Sequence, residues 1–344
     1  MQFDISSLRD DTPPVVKTKE KGSSIGMFAV KSANQWIKEA SMQANPKELF
    51  GEWWHENELC ILYADTNQGK SIEAVQICEN IASTQLVALF DFELSGKQFE
   101  ARYSEDFTNH YHFNDNFLRI EIDPDTELTD QFKAFEDFLY YSIEQFLIQT
   151  ACKILVFDNI TYLSTETEKA KDALPLMKLL KKLKAKYGLS ILCLAHTPKR
   201  DLSKPITRND LQGSKMLINF CDSAFAIGES TKATSIKYFK QIKVRQKAFR
   251  YDAENVAVYE LKKPSNYLHF DFIEYGTEAE HLKIKTYDEK EVDPDQVLRL
   301  YSIGFSLSAI AKELSTNKSK VNRIIKAHVS SVPPVSPASI VSTS

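Results

Sequence analysis

An apolar run, a short polar turn and an amphipathic stretch follow one another at residues 59–83, and this succession constrains the fold more than any other feature of the chain. Residues 59–71 read L-C-I-L-Y-A-D-T-N-Q-G-K-S. A strand, a turn and a helix that starts at Gly-Lys-Ser are typical of a phosphate-binding loop. In such a loop backbone N–H groups surround the β-phosphate, the lysine (Lys70) reaches the β and γ oxygens, and the serine (Ser71) ligates Mg²⁺. The pattern therefore predicts a nucleoside triphosphate site.

The match to the consensus G-x-x-x-x-G-K-[ST] is one position short, because Ala64 replaces the first glycine. Gly69 keeps the second glycine, at a position where a Cβ would obstruct the phosphate. A chance Gly-Lys-Ser at a helix start is the alternative, and the flanking strand and helix favour the loop. We predict ATP and Mg²⁺ as cofactors. The predicted nucleotide-binding residues are Ala64, Asp65, Thr66, Asn67, Gln68, Gly69, Lys70, Ser71 and Ile72.

Composition sets wide limits on the class of protein. The 344 residues are 43% hydrophobic and 26% charged, with a net charge of −4, so any nucleic-acid contact must use a locally basic surface. The five cysteines stand singly in apolar segments, as core residues of a reducing compartment would. No apolar run is long enough to cross a bilayer, and Asp4, Arg9 and Asp10 do not fit a signal peptide. We expect a cytoplasmic protein without a membrane partner.

Short apolar runs alternate with helical patterns after the phosphate-binding loop, which predicts an α/β fold with a mainly parallel sheet. Runs of β-type residues at the end of this region predict antiparallel strands that extend the sheet at one edge. Predicted strands cover 86–92, 117–122, 153–157, 189–194, 222–227, 235–244, 255–261 and 267–275, and predicted helices cover 71–83, 131–149 and 173–186.

The chain divides into five predicted segments. They are a flexible arm (1–32), an ATPase domain (33–275), a linker (276–292), a small helical unit (293–328) and a disordered tail (329–344). Aromatic residues cluster before the phosphate-binding loop, at Phe50, Trp53 and Trp54. Core packing is the preferred interpretation of this cluster, and stacking on a nucleotide base is the alternative.

Hydrolysis needs acidic residues at strand ends, and the sequence offers three. Asp158 ends the apolar strand 153–158 and is the candidate Mg²⁺ ligand, although strand-end aspartates are also common in purely structural roles. Glu93 and Asp91 lie at the end of the strand after the phosphate-binding loop. Either could orient the attacking water, and strand alternation alone leaves the choice open.

A resemblance favours Glu93. Residues 90–102, F-D-F-E-L-S-G-K-Q-F-E-A-R, resemble the F-S-L-E-M-S…Q…R segment of RecA-like replicative hexameric helicases, whose glutamate is catalytic. The strand that ends in His196-Thr-Pro-Lys-Arg is similar to a segment of RepA-type plasmid helicases. That resemblance implies a γ-phosphate sensor at His196, and an ordinary loop histidine is the alternative.

The same resemblance implies two further groups of basic residues. One is a loop that faces a ring channel and tracks single-stranded DNA, against the alternative of an ordinary solvated loop; its residues are Lys199, Arg200, Lys204 and Arg208. The other is a Lys-x-Arg pair, Lys243 and Arg245, which would reach the γ-phosphate of a neighbouring subunit. Charges that protect a strand edge from aggregation are the alternative for this pair.

The segment 294–328 predicts three short helices and resembles the helix-turn-helix of resolvase and invertase DNA-binding domains. Its last helix would enter the major groove of duplex DNA with Lys318, Lys320, Arg323 and Lys326. A helical protein-interaction domain is the alternative.

Together these features favour a RecA-like P-loop ATPase that forms a homo-oligomeric ring and acts on DNA. A helicase-like role in replication or mobilisation of a plasmid or mobile element is the most concrete form of this hypothesis. One alternative is a RecA-like regulator or recombinase-type switch that does not unwind DNA. Another is a helix-turn-helix regulator that binds nucleotide without hydrolysing it.

Overall fold

The computed structural model describes residues 23–126, 132, 134–160, 173–198, 200–211, 214–284 and 292–331. It contains two compact units, Met1–Glu48 and Leu49–Ser344. The outer parts of the predicted arm and tail, residues 1–22 and 332–344, lie outside the described residues. Residues 285–291 of the predicted linker do so as well.

The first unit contains a hairpin and a helix. Strands β1 (Ser23–Ile25) and β2 (Phe28–Val30) pair antiparallel, and helix α1 (Ala33–Ala40) follows. Regular structure therefore reaches into the segment 1–32 that the sequence predicted to be a flexible arm.

The second unit contains the remaining elements. Its strands are β3 (Glu48–Phe50, which begins at the unit boundary), β4 (Trp54–His55), β5 (Leu59–Ala64), β6 (Val87–Asp91), β7 (Ser104–Glu105), β8 (Asn109–His110), β9 (Phe117–Ile120), β10 (Ile154–Asp158), β11 (Ser190–His196), β12 (Ser223–Glu229), β13 (Ile236–Lys243), β14 (Val256–Lys262) and β15 (His269–Gly276). Its helices are α2 (Lys70–Ala82), α3 (Gly96–Arg102), α4 (Phe135–Thr150), α5 (Ala173–Tyr187), α6 (Ser214–Phe220), α7 (Pro294–Ser302), α8 (Leu307–Glu313) and α9 (Lys318–Ser331). Within the described ranges, no helix has the length and apolar character needed to cross a bilayer.

Nine strands form the central sheet, in the order β15-β14-β13-β12-β5-β11-β10-β6-β9. The strands from β12 to β9 run parallel to one another, and β13, β14 and β15 continue the sheet antiparallel. The predicted α/β class, with a mainly parallel sheet extended at one edge, is confirmed. Strand β11 separates β5 from β10, so the strand of the phosphate-binding loop does not pair with the strand of Asp158.

Alternation along each buried strand supplies a core on both faces of the sheet. Residues Leu59, Ile61 and Tyr63 of β5 pack with α4 and α5, whereas Cys60, Leu62 and Ala64 pack on the opposite side with α2. Phe239 and Phe270 of the antiparallel strands join this second core. Trp53 and Trp54 are also buried in it, which confirms the preferred packing role of the aromatic cluster. All five cysteines are buried and unbridged, as predicted.

Helices α7, α8 and α9 form a small core of their own around Val297, Ile310, Val321 and Ile325. The turn between α8 and α9 uses Ser315, whose φ is 49°, and Asn317, whose side chain accepts a hydrogen bond from the Lys320 N–H at 2.7 Å. The three helices that the sequence predicted are therefore present. Helix α9 extends to Ser331, beyond the predicted limit at 328.

Candidate nucleotide-binding site

The loop 65–69 connects β5 to α2 and contains two residues with positive φ, Asn67 at 62° and Gly69 at 89°. A Cβ built on Gly69 would lie 2.5 Å from Cζ of Phe270 in β15. A side chain here was expected to obstruct the phosphate, and in the structure the Phe270 ring already fills the space beside Gly69. Any other residue at position 69 would suffer both backbone strain and a collision.

Ala64 stands where the consensus has a glycine, and its position explains why a methyl group is tolerated. It is the last residue of β5, with its side chain buried in the core beside α2. Its carbonyl oxygen accepts hydrogen bonds from the Thr197 N–H at 3.1 Å and from Lys70 Nζ at 3.0 Å. A strand residue needs no positive φ, so alanine serves here.

Lys70 is the first residue of α2 and is buried at the centre of the site. Its Nζ donates to the carbonyls of Ala64 and Asp65, both at 3.0 Å, and lies 3.2 Å from Nδ1 of His196. Burial lowers the pKa of Lys70, and the nearby carboxylates of Asp158 and Glu93 partly offset this effect. An anionic ligand would therefore stabilise the charged form of this buried ammonium group.

Ser71 and Asp158 lie together, although β5 and β10 are not paired. The Ser71 hydroxyl hydrogen-bonds to the Asp158 carboxylate. Burial raises the pKa of Asp158 to about 7, and this hydrogen bond partly opposes the rise. A hydroxyl and a buried carboxylate that can share one cation suit Mg²⁺, whose ligands are oxygens. The two predicted metal ligands are thus adjacent.

Asp91 and Glu93, the rival carboxylates, have different surroundings. Asp91 is buried; its Oδ2 accepts from Nε of Arg119 at 2.9 Å, and its Oδ1 accepts from the N–H groups of Glu93 and Leu94. Both oxygens of Asp91 are therefore occupied by contacts that hold the end of β6. The Glu93 side chain is 39% exposed and faces the phosphate-binding loop instead.

Two polar side chains, those of His196 and Asn159, contact Glu93. Oε1 of Glu93 lies 3.3 Å from Nε2 of His196 and accepts a hydrogen bond from Nδ2 of Asn159. The hydrogen bond from His196 lowers the pKa of Glu93 below its usual range, with the Lys70 charge contributing. Lys70 can only donate, so its contact with Nδ1 fits a His196 tautomer with the proton on Nε2, which faces Glu93 and also lies 3.1 Å from Nδ2 of Asn159. His196 therefore links the lysine to the glutamate.

Sequence reasoning missed Asn159 and Arg119. Asn159 directly follows Asp158, so its position after a strand end was a usable signal. Arg119 comes from β9, at the far edge of the sheet, and nothing in its local sequence links it to Asp91. Its pairing depends on β6 and β9 becoming neighbours.

The Lys-x-Arg pair lies at the opposite edge of the sheet. Lys243 ends β13, and its Nζ donates to carbonyls at the end of α6, including that of Cys221 at 2.7 Å. Arg245 pairs with Asp222 at 2.8 Å. Strand β13 ends at Lys243, so Arg245 lies beyond it, as the predicted strand 235–244 also implied. Asp222 accepts a hydrogen bond from the N–H of Leu59, the first residue of β5, which places the pair roughly 16 Å from the phosphate-binding loop at the strand rise of about 3.3 Å.

The basic loop begins where β11 ends. Lys199 lies outside the described residues. Arg200 is largely covered: it donates to the Lys204 carbonyl at 2.5 Å and hydrogen-bonds to Tyr238. Lys204 and Arg208 are exposed. The loop is held to the body of the domain, because Tyr63 donates to the Thr207 carbonyl at 2.8 Å.

Three of the four predicted DNA contacts on α9 lie away from its core. At 100° per residue, Lys320, Arg323 and Lys326 cover the arc opposite to that of Val321 and Ile325, whereas Lys318, in the first turn, lies on the side of Ile325. Lys318, Arg323 and Lys326 are exposed, and Lys320 is half-buried. This face of α9 is therefore basic.

A phosphate-binding loop, a Ser–Asp pair and a further carboxylate at the carboxyl edge of a mainly parallel sheet define a RecA-like P-loop ATPase. The family model described as AAA domain matches residues 29–201, half of the chain, and the chain belongs to this family. In structure, the chain is similar to a KaiC-like protein from the hyperthermophilic archaeon Pyrococcus horikoshii OT3. That similarity has a TM-score of 0.47 at 12% identity and covers 63% of this chain and 91% of that one. No curated protein matches the sequence.

Proposed function

We propose that this protein is an ATP-hydrolysing ring ATPase that acts on DNA, with a helicase-like role in replication or mobilisation of a plasmid or mobile element. The observation that carries the proposal is the chain of contacts from Lys70 through His196 to Glu93. It joins the residue that would bind the phosphates to a carboxylate that could orient water. The third hypothesis, a regulator that binds nucleotide without hydrolysis, needs no such carboxylate.

The residues present fit Mg²⁺-ATP. Ser71 and Asp158 would hold the cation, which would draw charge from the phosphate oxygens. Lys70 would exchange its contacts with the carbonyls of Ala64 and Asp65 for contacts with the phosphates. Glu93 would orient the attacking water and hold its proton, with His196 and Asn159 fixing the carboxylate.

The ring would place the Lys-x-Arg pair at a neighbour's nucleotide. Lys243 and Arg245 lie at the opposite strand edge from their own phosphate-binding loop, which supports a role in trans over a role in cis. Arg245 is paired with Asp222 in this structure, so the proposed role requires the guanidinium to leave that carboxylate. Half of the Arg245 side chain is exposed, and such surface ion pairs contribute only about 0–1 kcal/mol.

DNA would bind through two surfaces. The basic face of α9 would contact duplex DNA in the manner of a helix-turn-helix recognition helix. The loop around residues 200–208, together with Lys199, would contact a single strand inside the ring.

One observation favours the switch hypothesis as a second candidate. Arg200, predicted to track DNA, is instead largely covered and bonded to Tyr238 and to the Lys204 carbonyl. A loop anchored in this way suits a protein in which ATP changes a conformation without translocation.

The test is ATP turnover measured with no DNA, with single-stranded DNA and with duplex DNA, alongside a strand-displacement assay. We expect single strands to stimulate turnover and ATP to drive displacement. Stimulation without displacement would select the switch. Absence of turnover in all three conditions would select the non-hydrolysing regulator.

Substitutions separate the two DNA surfaces. Arg323→Ala with Lys326→Ala should weaken duplex binding and leave turnover without DNA unchanged. Lys204→Ala with Arg208→Ala should reduce stimulation by single strands and lower the salt dependence of that binding by about one charge per lost phosphate contact. Lys97→Ala, at an exposed lysine paired with Glu100, is the matched control and should change neither.

A further inference from the structure

The chain that follows β15 is attached to the basic loop 200–208. A short 3₁₀ helix begins there at Glu278, whose side chain is buried although it is acidic. Oε1 of Glu278 accepts hydrogen bonds from the Ile206 N–H at 2.6 Å and from the Tyr238 hydroxyl at 3.2 Å. Since Ile206 belongs to the loop and Tyr238 to β13, one carboxylate joins the loop to the sheet.

Lys240 of β13 completes this attachment. Its Nζ donates to Oε2 of Glu278 at 2.5 Å and to the Ile206 carbonyl at 2.9 Å. One ion pair therefore holds both backbone polar groups of Ile206. The side chains of Glu278 and Lys240 are only 1% and 12% exposed, and loss of one partner from such a pair leaves the other charge buried. The attachment thus depends on both residues.

A second attachment lies at the far end of the same segment, where the Lys283 N–H donates to the Leu202 carbonyl at 3.0 Å. We call residues 277–283 the latch. The latch holds the loop at Leu202 and at Ile206, on either side of Lys204. It therefore restrains the part of the loop that carries the predicted DNA contacts.

The latch is itself fixed to the sheet. The His281 carbonyl accepts a hydrogen bond from the Thr231 N–H at 3.1 Å, and Nδ1 of His281 lies 2.7 Å from Oγ of Ser230. Ser230 and Thr231 directly follow β12. The end of that strand therefore sets the position of the latch, and the latch sets the position of the loop.

The closed loop directs the Arg200 side chain at groups of its own chain. The guanidinium donates to the Lys204 carbonyl and hydrogen-bonds to Tyr238. Among the described residues, Nε of Arg200 and Nε2 of His281 are buried without a hydrogen-bond partner. Buried polar groups without partners raise the free energy of the state that contains them. Both groups could gain partners if the latch opened.

We propose that the latch is an autoinhibitory contact, which keeps the loop in a position that binds single-stranded DNA poorly until Ile206 is released. The inference rests on the contact between this loop and a single strand in the proposed function, and it adds the regulation of that contact. Because a held loop cannot follow a strand, DNA binding and latch opening favour each other. The anchored loop then no longer argues against translocation, since it is one of two positions.

The loop also leads back to the nucleotide site. It begins shortly after His196, and the next residue, Thr197, donates its N–H to the Ala64 carbonyl at 3.1 Å. Release of the loop can therefore change the setting of His196. Opening of the latch should raise ATP turnover without DNA toward the rate that single strands produce.

The first experiment opens the latch with Glu278→Gln in the full chain. It measures hydrogen exchange of the loop 200–211 and the affinity for a fluorescent oligothymidylate with ATP present. Loss of the charge should make the Ile206 N–H exchange faster and should raise the DNA affinity, each on the order of tenfold. Glu280→Gln is the matched control and should change neither, because Glu280 lies in the same 3₁₀ helix but pairs with Lys232 at the surface.

The second experiment closes the latch with a disulfide. Leu202→Cys with Lys283→Cys places two cysteines where the backbones are hydrogen-bonded, and the five native cysteines are buried and unbridged. The bridged chain should bind the oligothymidylate on the order of tenfold more weakly than the same chain after reduction. Because one protein is compared with itself, this result decides the proposal even if Glu278→Gln does not fold.

Three results would overturn the proposal and leave the proposed function intact. One is faster exchange in Glu278→Gln with unchanged DNA affinity, which would show a latch that does not inhibit. Another is a bridged chain that binds single strands as tightly as the reduced chain. The third is unchanged exchange in folded Glu278→Gln, which would show that Glu278 does not hold the loop.

Failure of the proposed function has a different signature. If neither the wild type nor Glu278→Gln binds the oligothymidylate, although exchange is faster in the variant, the loop is held by Glu278 but does not contact DNA. That result would remove the single-strand surface from the proposed function and the autoinhibitory role of the latch with it.

Discussion

The two edges of the parallel sheet carry charged groups in contrasting arrangements. At the amino edge, Asp222 accepts from the Leu59 N–H and forms ion pairs with Lys184 at 2.6 Å and Arg245 at 2.8 Å. Burial would raise the pKa of Asp222, but these hydrogen bonds outweigh burial and hold it below its usual value. At the carboxyl edge, burial raises the pKa of Asp158 to about 7; the Ser71 hydroxyl and the Lys70 charge oppose this rise, and the Glu93 and Asp91 charges add to it.

The difference shows which carboxylate is already satisfied by protein groups and which one would gain from a cation. A carboxylate held by two cations and a backbone N–H contributes to folding and needs nothing further. A buried lysine whose pKa is lowered and a buried aspartate whose pKa is raised would both gain from Mg²⁺ and phosphate. Substitutions of Lys184 or Asp222 at the amino edge should therefore change stability, and substitutions at the carboxyl edge should change activity, whereas Arg245 is proposed to act on the nucleotide of a neighbouring subunit.

The largest effect is expected from Lys70→Ala. Loss of the charge on the phosphates should reduce ATP turnover on the order of a hundredfold or more, measured as phosphate release. Lys184→Ala is the matched change at the amino edge and should lower stability while turnover of the folded protein persists. A folded Lys70→Ala protein with unchanged turnover would contradict the assignment of this loop as the phosphate-binding site.

The two carboxylates at the end of β6 should respond differently. Glu93→Gln should retain Mg²⁺-ATP binding and lose about a hundredfold in turnover, because the attacking water is no longer oriented. Asp91→Asn should lower the free energy of unfolding by about 1–3 kcal/mol, since the buried Arg119 contact is weakened, while the folded protein still turns over. Nucleotide binding, turnover and urea unfolding would be measured on both. The reverse outcome would make Asp91 the catalytic carboxylate.

Arg245→Ala tests whether the amino edge acts on a neighbour. Alone it should reduce turnover at least tenfold, as expected of a residue that neutralises transition-state charge. Mixed in equal amounts with Lys70→Ala, it should restore activity at about a quarter of the interfaces. These are the interfaces that pair an intact phosphate-binding loop of one subunit with an intact Arg245 of its neighbour. Mixed rings of confirmed composition that show no recovery would place Arg245 in cis or outside catalysis.

Asp222→Ala should affect stability alone. Loss of the buried carboxylate should lower the free energy of unfolding by about 1–3 kcal/mol and leave the KM for ATP unchanged. The pKa of Asp222 is lowered on folding, so its contribution is full above the unfolded pKa and is lost as pH falls through the lower, folded value. Wild type and variant should therefore differ at pH 7 and converge in strong acid, in urea unfolding at each pH. If the free energies of unfolding of wild type and variant still differ in strong acid, the charge of Asp222 is not what stabilises the fold.

Much of the fold was predictable because its signals are local. Short buried runs and helical periodicity indicated the strand and helix sequence, and the antiparallel extension followed from composition. Boundaries were less certain. The strand predicted to end at 244 ends at Lys243, and the one predicted to end at 122 ends at Ile120, because pairing with a neighbour decides where a strand stops.

The candidate site was predictable only in part. The motif identifies Lys70 and Ser71, and the end of an apolar strand identifies Asp158. The structure brings these three residues together. Asn159 could have been predicted from its position directly after Asp158, at the end of a strand. Arg119, which occupies Asp91 and so distinguishes it from Glu93, had no such signal, because its contact arises from the pairing of β6 with β9 across the sheet.

The sequence by itself determined the strand–loop–helix of the nucleotide site, the α/β class and the three helices at the C-terminal end, since each depends on residues near one another in the chain. Tertiary structure alone decided which carboxylate faces Lys70 and that Lys243 and Arg245 lie at the opposite edge. These depend on strand order and on burial. Both arise from contacts between residues far apart in sequence, which no local pattern encodes.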